Sequence, residues 1–417
     1  MIRLAHFADI HVGATLGHGP KDPDGIPARL KDQESSAVQM AKDIVSAECN
    51  AVLFSGDGFR VNNPTATEER AFQRMLQVFS AAGLPCYAVP GNHDIGSGGE
   101  ANALEVFQCD YFRLRSVPTW EVATAGPLDD YRPLFNLLSV PYFRRDYILA
   151  ADPSISREQA DQRCGEAAEA VIHGLLAQCD PSLPTVIMAH HNVPSARLSN
   201  GYETLSQSDP FIPLRALDRA EVTYTALGHI HRHQDLGTVC PVVFSGSPAP
   251  HDFGEEKTPH GWVLVELEAG EPARYSLQPG RYRDFCTLDL SFVDDPEPSA
   301  LTPLRRALET TSVRGKIVRV RYDYQRQQKP AIHHAEMRDI LNLAGAWHIA
   351  DPQPTCIDAG QVVRVEGLTS TSVDPLSAAT AYISHPEHST TYGPHREGLL
   401  AKLNTLLQED TARANAA

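Results

Sequence analysis

Five short stretches of this chain carry side chains suited to metal or proton chemistry, and each follows an apolar run. They are Asp9-Ile10-His11, Gly56-Asp57, Val89-Pro90-Gly91-Asn92-His93-Asp94, His190-His191 and Gly228-His229-Ile230-His231. A side chain at the corner where a strand becomes a loop is held by a rigid scaffold. Asn92 offers a neutral carbonyl oxygen, His93 a ligand nitrogen or a proton, and Asp94 a carboxylate able to orient His93. Asp9 and His11 are two residues apart, so on a strand they share a face. Each stretch taken alone also has a plain reading. Gly-Asp pairs are mostly turns, an Asn-His-Asp turn can be a surface loop, and one of His190 and His191 can be purely structural. On a continuing strand His191 points opposite to His190. Five such stretches in this order, each behind a strand, point instead to one shared centre.

Asp9, His11, Asp57, Asn92, His190, His229 and His231 supply two carboxylates, one amide and four imidazoles. A single metal takes roughly four to six ligands, so this set suffices for two metals that share a bridge. Asp57, with two oxygens, is the natural bridge. Mixed nitrogen and oxygen ligands suit Mn2+, Fe2+ or Zn2+ better than Mg2+ or Ca2+. Two such ions roughly 3.5–4 Å apart clamp a phosphate and activate a water. His93, beside them, is placed to protonate a leaving alkoxide, with Asp94 keeping it charged and aimed.

The elements that must hold these residues follow from periodicity. Ile2 to Ala8, Ala51 to Ser55 and Leu84 to Val89 read as strands. Between them lie a helical pattern over Ala28 to Cys49 and an amphipathic helix over Glu68 to Ala82, with Phe72, Met75, Leu76 and Phe79 on one face. That rhythm predicts a layered α/β core. Downstream come short strands between 106 and 143, a helix over Ser156 to Cys179, and strands at Leu183 to Ala189, Tyr224 to Leu227, Val242 to Pro248 and Gly261 to Leu267. The expectation is a two-sheet sandwich flanked by helices. Gly and Pro cluster over 270–284 and read as a boundary. Beyond it a small α+β domain is expected: strand Phe285 to Val293, helix Ala300 to Thr311, strand Lys316 to Tyr324, helix His333 to Ala344 and a strand at Val362 to Glu366. Helices are expected at Pro375 to Ile383 and Gly398 to Leu407. The domains so read are 1–278, 279–370 and 371–417.

Length and composition bound the function. The 417 residues suggest more than one domain. No apolar run approaches a membrane span, and Met1-Ile2-Arg3-Leu4 leads straight into a strand rather than a secretory signal. The eight cysteines are scattered without a Cys-x-x-Cys pair, which argues against a zinc ribbon and for reduced thiols in a cytoplasmic protein. A net charge of −16 opposes DNA binding, whose affinity comes largely from neutralising phosphates. Metals at the acidic ligands, or a basic partner, would offset it. One local basic cluster exists around Arg314, Lys316, Arg319, Arg321, Arg326 and Lys329. Arg319 and Arg321 alternate onto one strand face, which either meets a DNA backbone or is a solvated face. The stripe Leu399, Leu400, Leu403, Leu406 and Leu407 is either core packing or a docking surface.

The five stretches in this order resemble the calcineurin-like metallophosphoesterase superfamily. Ser245-Gly246-Ser247-Pro248, Asp252-Phe253-Gly254-Glu255 and Gly261-Trp262-Val263-Leu264-Val265-Glu266 further resemble the SbcD-type DNA repair nucleases, a similarity that covers about residues 1–270. The resemblance implies a calcineurin-like sandwich with a small capping domain. It implies that Asp9, His11, Asp57 and His231 hold one Mn2+ and that Asp57, Asn92, His190 and His229 hold the other. His93 is then the acid assisting departure of the 3′-oxygen. The implied activity is that of a DNA exonuclease and endonuclease in double-strand break repair. The implied partners are an SbcC-like coiled-coil ATPase, bound by the C-terminal helices, and a second copy in a homodimer. One departure stands out. The family reads Gly-Asp-Leu-Phe followed by His or Asp, whereas this chain has Gly56-Asp57-Gly58-Phe59-Arg60. Gly58 is expected to loosen the backbone, and Arg60 either grips a phosphate as a bidentate donor or is a solvated loop charge. The competing functions are a phosphoesterase for small nucleotides or phosphomonoesters, and a binding scaffold without catalysis.

Overall fold

The run Ala51-Val52-Leu53-Phe54 is buried at every side chain, as a strand covered on both faces must be. It lies inside the first of two six-stranded sheets. The structure is a computed structural model that describes residues 1–13, 19–21, 23, 25–96, 102–125, 132–199, 209–268, 271–293, 295–357, 376, 379–380, 383 and 395–414. The first sheet contains β1 (Ile2–Phe7), β2 (Ala51–Phe54), β3 (Cys86–Ala88), β4 (Phe112–Leu114), β11 (Gly261–Leu267) and β12 (Arg274–Pro279), in the order β12-β11-β1-β2-β3-β4. The second contains β5 (Thr119–Ala125), β6 (Arg132–Val140), β7 (Thr185–His190), β8 (Tyr224–Gly228), β9 (Gln234–Asp235) and β10 (Val242–Phe244), in the order β5-β6-β7-β8-β10-β9. β1 to β4 run parallel, as do β6, β7, β8 and β10. The outer strands β11, β12, β5 and β9 pair antiparallel.

Strand alternation sorts the core into layers. Leu4, Leu53, Tyr87, Val89, Phe135, Val186, Met188, Tyr224 and Val263 pack together between the sheets. Phe7, Val52, Phe54 and Ala88 face the other way and pack with α1 (Ala28–Ser46) and α2 (Ala66–Ala81). On the second sheet Leu138, Ile187, Ala189 and Leu227 pack with α4 (Arg157–Leu176) and α5 (Leu214–Leu217). The result is the expected two-sheet sandwich flanked by helices. A short α3 (Arg145–Ala151), which periodicity did not reveal, precedes α4. α2 begins two residues earlier than its apolar pattern suggests because Thr65 and Glu68 form a reciprocal cap. The Thr65 N–H donates to the Glu68 carboxylate at 2.7 Å.

Within the Gly- and Pro-containing cluster at 270–284, β12 occupies Arg274–Pro279. Arg274 pairs with Glu266 and Pro279 with Gly261. The Glu271 N–H donates to the Glu268 carbonyl at 3.2 Å.

The chain divides into two compact units. The first comprises Met1–Leu290, Ser299–Tyr322 and His333–Gln353; the second comprises Ser291–Pro298, Asp323–Ile332 and Pro354–Ala417. Beside the sandwich, a smaller sheet runs β13 (Phe285–Ser291), β14 (Ile317–Tyr324), β15 (His348–Ile349), with α6 (Thr302–Thr310) and α7 (His334–Leu343) between its strands. In the second unit the Gln328 amide donates to the carbonyls of Phe292 and Asp295 at 2.6 and 3.2 Å. That unit also holds α8 (Arg396–Ala414), longer than the apolar stripe implied. The strand expected over Val362 to Glu366 lies outside the described residues, as does most of Pro375 to Ile383. All eight cysteines are free thiols. No helix among the described residues is long and apolar enough to cross a membrane.

Candidate metal centre

Asp9, Asp57, Asn92, His190 and His229 all lie at or just past the carboxyl ends of parallel strands β1, β2, β3, β7 and β8. Open α/β sheets use this edge for ligands. The backbone there is held in an unusual form. Asp9, His11, Asp57 and His229 have φ of +56°, +48°, +58° and +100°. Non-glycine residues rarely adopt the left-handed region, and such strain persists only where the surroundings enforce it. Here the Asp9 N–H donates to the Gly56 carbonyl at 3.0 Å, while the Ile10 and His11 N–H groups share the Asp57 carbonyl at 2.9 and 3.1 Å. Glycine is required where chains meet. A Cβ on Gly91 would sit 2.1 Å from the Asp57 Oδ1, and one on Gly228 would sit 2.2 Å from the Ser55 carbonyl.

Hydrogen bonds on the far side of each ring fix which nitrogen faces inward. His190 Nδ1–H donates to the Ser55 carbonyl at 2.6 Å, so Nε2 is the nitrogen facing the centre, 3.3 Å from Asp57 Oδ2 and 3.1 Å from Asn92 Oδ1. His231 Nδ1–H donates to Glu255 Oε1 at 2.6 Å, so its Nε2 is the nitrogen facing the centre, 3.1 Å from the Nε2 of His11. His11 Nε2 is also 3.5 Å from Asp57 Oδ2. His229 Nδ1 lies 3.0 Å from Asn92 Oδ1. Both Asp9 oxygens accept from the His229 N–H, at 3.0 and 3.1 Å. Ring nitrogens and carboxylate oxygens thus converge in a buried space, an arrangement that a cation, either a proton or a metal ion, relieves. Among the described residues, three overlapping groups meet the spacing for a metal ion: Asp9, Asp57 and His190; His11, Asp57 and His93; and His11, His231 and His251.

The electrostatics agree. Burial works against the Asp57 charge, yet the imidazoles of His190 and His11 hold its carboxyl well below the usual carboxylate range. Burial pushes the Asp9 carboxyl up. Burial disfavours a charged His190, but the Asp57 carboxylate lifts the ring to about 9. A proton is drawn to this centre wherever another positive charge is not supplied.

The calcineurin-like phosphoesterase family model matches residues 2–233. The chain belongs to this family. It is therefore a hydrolase of phosphate esters. This phosphoesterase is 24% identical over 284 residues to the SbcD component of the SbcCD nuclease of Bacillus subtilis (strain 168), covering 66% of this chain and 68% of that protein. The same component from Escherichia coli (strain K12) is 23% identical over 268 residues, 61% of this chain and 62% of the relative. The uncharacterized metallophosphoesterase YhaO of Bacillus subtilis (strain 168) is 23% identical over 314 residues, 74% of this chain and 67% of the relative. The alignments thus span about two thirds of the relatives' lengths.

Within the phosphoesterase site, Asp94 has a different role from the one its sequence position suggested. It does not aim His93. Its fully buried carboxylate accepts from the N–H groups of Asp57, Gly58, Phe59 and Gly91 at 2.8, 3.0, 3.2 and 2.9 Å. It therefore ties the loop after β2 to the loop after β3. Burial and the Asp57 charge push its carboxyl up to about 7, against the pull of these donors. His93 is exposed and takes another partner: its Nδ1 lies 2.8 Å from the Arg60 carbonyl. Its N–H donates to Asp57 Oδ1 at 3.0 Å, and its ring stands edge-on to His11 with centroids 4.8 Å apart. Gly58 is not a loose joint either. A Cβ there would meet Leu104 Cδ2 at 2.9 Å and Phe72 Cε2 at 3.0 Å, so neighbouring side chains fill its place. The stem of Arg60 packs against Gly13.

The basic strand face carries acceptors of its own. Arg319 lies over the Phe253 ring at 4.4 Å and donates to Thr287 Oγ1. Arg321 forms a bidentate pair with Asp289 at 2.6 and 2.9 Å. Strand alternation put both on one face but gave no hint of the acceptors on the neighbouring strand β13. His191 is buried; its Nε2 accepts from the Phe143 N–H at 2.8 Å, and its ring stacks on Tyr142. Glu255 and His251 reach the phosphoesterase site from outside the five motif stretches. Glu255 holds His231, and its place in the Asp252–Glu255 stretch was the available signal. His251 donates Nε2–H to the Asp9 carbonyl at 3.0 Å and carries no motif of its own.

Proposed function

We propose that this chain is a two-metal phosphodiesterase acting on DNA, a nuclease subunit that works with an SbcC-like coiled-coil ATPase in double-strand break repair. In this reading Asp9, His11, Asp57 and His231 hold one Mn2+, and Asp57, Asn92, His190 and His229 hold the other. Segment 279–370 serves as a capping domain and 371–417 meets the ATPase, in a cytoplasmic homodimer. The observation that carries the metal assignment is the pair of inward-facing Nε2 atoms of His190 and His231, fixed by Ser55 and Glu255. The likeness to the SbcD component of the SbcCD nuclease supports the DNA reading.

Two divalent ions bound there supply positive charge that polarises a phosphate and makes a water more acidic. The protein does the rest. Asp57 and Asn92 orient the donor set. With Nδ1–H committed to the Arg60 carbonyl, Nε2 of His93 is the atom able to give a proton to the leaving oxygen as its bond to phosphorus breaks. Arg60, whose carbonyl anchors His93, also carries a guanidinium suited to a phosphate.

A second reading is a phosphoesterase for small nucleotides. A cavity of about 350 Å³ beside Asn92, lined by Tyr142, Arg144, Arg145 and Asp209, is of a size for a nucleotide-like group, and the charge of −16 favours a small substrate. The deciding experiment compares wild type and His93→Ala on linear duplex DNA and on a short phosphodiester dye, with Mn2+. DNA degradation by wild type alone, with two Mn2+ retained in the variant, supports the nuclease. Hydrolysis of the dye but never of DNA, with or without the ATPase, supports the second reading. Loss of Mn2+ from His93→Ala would make His93 a ligand rather than the acid.

A further inference from the structure

The two histidines of Gly228-His229-Ile230-His231 present opposite ring nitrogens to the centre. His231 offers Nε2, because Glu255 takes its Nδ1–H at 2.6 Å. His229 turns Nδ1 toward Asn92 Oδ1, and its Nε2 lies 3.0 Å from Asp209 Oδ2. Asp209 is itself held: its Oδ1 accepts from the Tyr142 hydroxyl at 2.6 Å. The Tyr142 ring in turn lies nearly parallel to His191 and His229, with centroids 5.2 and 6.2 Å away.

We infer that Asp209 is a positioning residue for His229, taking its Nε2–H so that the Nδ1 lone pair faces Asn92 and the candidate metal centre. Asp209 is to His229 what Glu255 is to His231. An imidazole carries one proton when neutral, so an acceptor on one nitrogen decides which nitrogen is left to ligate. Without that acceptor, Nδ1 keeps a proton for the Asn92 oxygen and cannot bind a cation. The carboxylate is needed because it has two oxygens, one for Tyr142 and one for His229. Asp209→Asn has one oxygen, and its amide group would donate to one of these partners. The consequence for metal binding rests on the two-metal reading; the orientation of the ring does not.

The test uses the full chain carrying ¹⁵N-labelled histidine. In the metal-free protein at mildly alkaline pH, the His229 ring shifts are expected to report an Nε2–H tautomer in wild type and an Nδ1–H or mixed tautomer in Asp209→Asn. Mn2+ titration is expected to show a fall of about 10–100-fold in affinity at one site and no change at the other. Asp209→Ala, which removes the acceptor without adding a donor, gives the same comparison should Asp209→Asn fail to fold. Wild-type ring shifts in folded Asp209→Ala would overturn the inference. A wild-type protein that takes up no Mn2+ would overturn the two-metal reading instead, and the ring shifts would still decide the role of Asp209.

Discussion

Replacing Asp94 separates a loop-tying role from a proton-relay role. Its carboxylate accepts four backbone N–H groups, and it has no exposed surface. Asp94→Ala leaves four buried donors without an acceptor, at about 1–3 kcal/mol each, or about 4–12 kcal/mol before relaxation. That is comparable to the whole stability of a domain, about 5–15 kcal/mol. Asp94→Asn is the informative variant. Its single oxygen can keep the Gly58 and Phe59 donors, but its amide group then faces the N–H groups of Asp57 and Gly91. The cost is about 2–6 kcal/mol, which lowers the melting temperature by about 4–24 °C at roughly 2–4 °C per kcal/mol. Thermal unfolding of wild type, Asp94→Asn and His93→Ala, each with its Mn2+ content measured, checks this. His93→Ala is expected to melt near wild type, because the His93 side chain is exposed and its Nδ1 contact is to a loop carbonyl. If Asp94→Asn melts with wild type and keeps its metals yet loses turnover, the loop-tying argument is wrong and Asp94 acts on the chemistry.

Three further outcomes follow from the same geometry. In metal-free protein Glu255 is held at about 2, where burial is outweighed by its bond to His231, and His231 is raised to about 9, where burial is outweighed by its bond to Glu255. The Glu255 contribution is present above its ordinary 4.5 and fades as pH falls toward 2; the His231 contribution is present below its ordinary 6.5 and fades as pH rises through 9. Melting temperature should therefore peak between these ordinary values and decline on both sides, and Glu255→Gln should flatten the profile; an unchanged profile would remove the pair from the account. Gly91→Ala should cost most of the Mn2+ affinity, because its Cβ would overlap Asp57 Oδ1 at 2.1 Å; full metal loading would show that the loops give way cheaply. Arg321→Ala should leave the salt dependence of any DNA binding unchanged, since Asp289 already offsets the charge; a slope reduced by about one would make Arg321 a phosphate contact.

What could be read from the residues, and what could not, divides along a physical line. That Asp9, His11, Asp57, Asn92, His190, His229 and His231 gather in one place was legible because strand ends fix where side chains go, and a strand end announces itself as an apolar run meeting a polar corner. The sandwich was legible for the same reason: Leu4 and Leu53 alternate with Ala5, Phe7, Val52 and Phe54 between two cores. The partners of these residues were not legible. Asp94 binds backbone N–H groups, which every residue but proline possesses and no sequence distinguishes. Arg319 and Arg321 meet Thr287 and Asp289, each 32 residues away, and only the strand register brings them together. Glu255 lies 24 residues past the histidine it holds, and Asp209 sits beside a proline in a stretch without periodicity. The set of inward-facing atoms therefore follows from residue type and position. Which nitrogen of each ring faces inward is decided by a second set of acceptors that loops deliver. A search for metal sites in related chains gains most from asking, for every candidate histidine, which carboxylate or carbonyl takes its other proton.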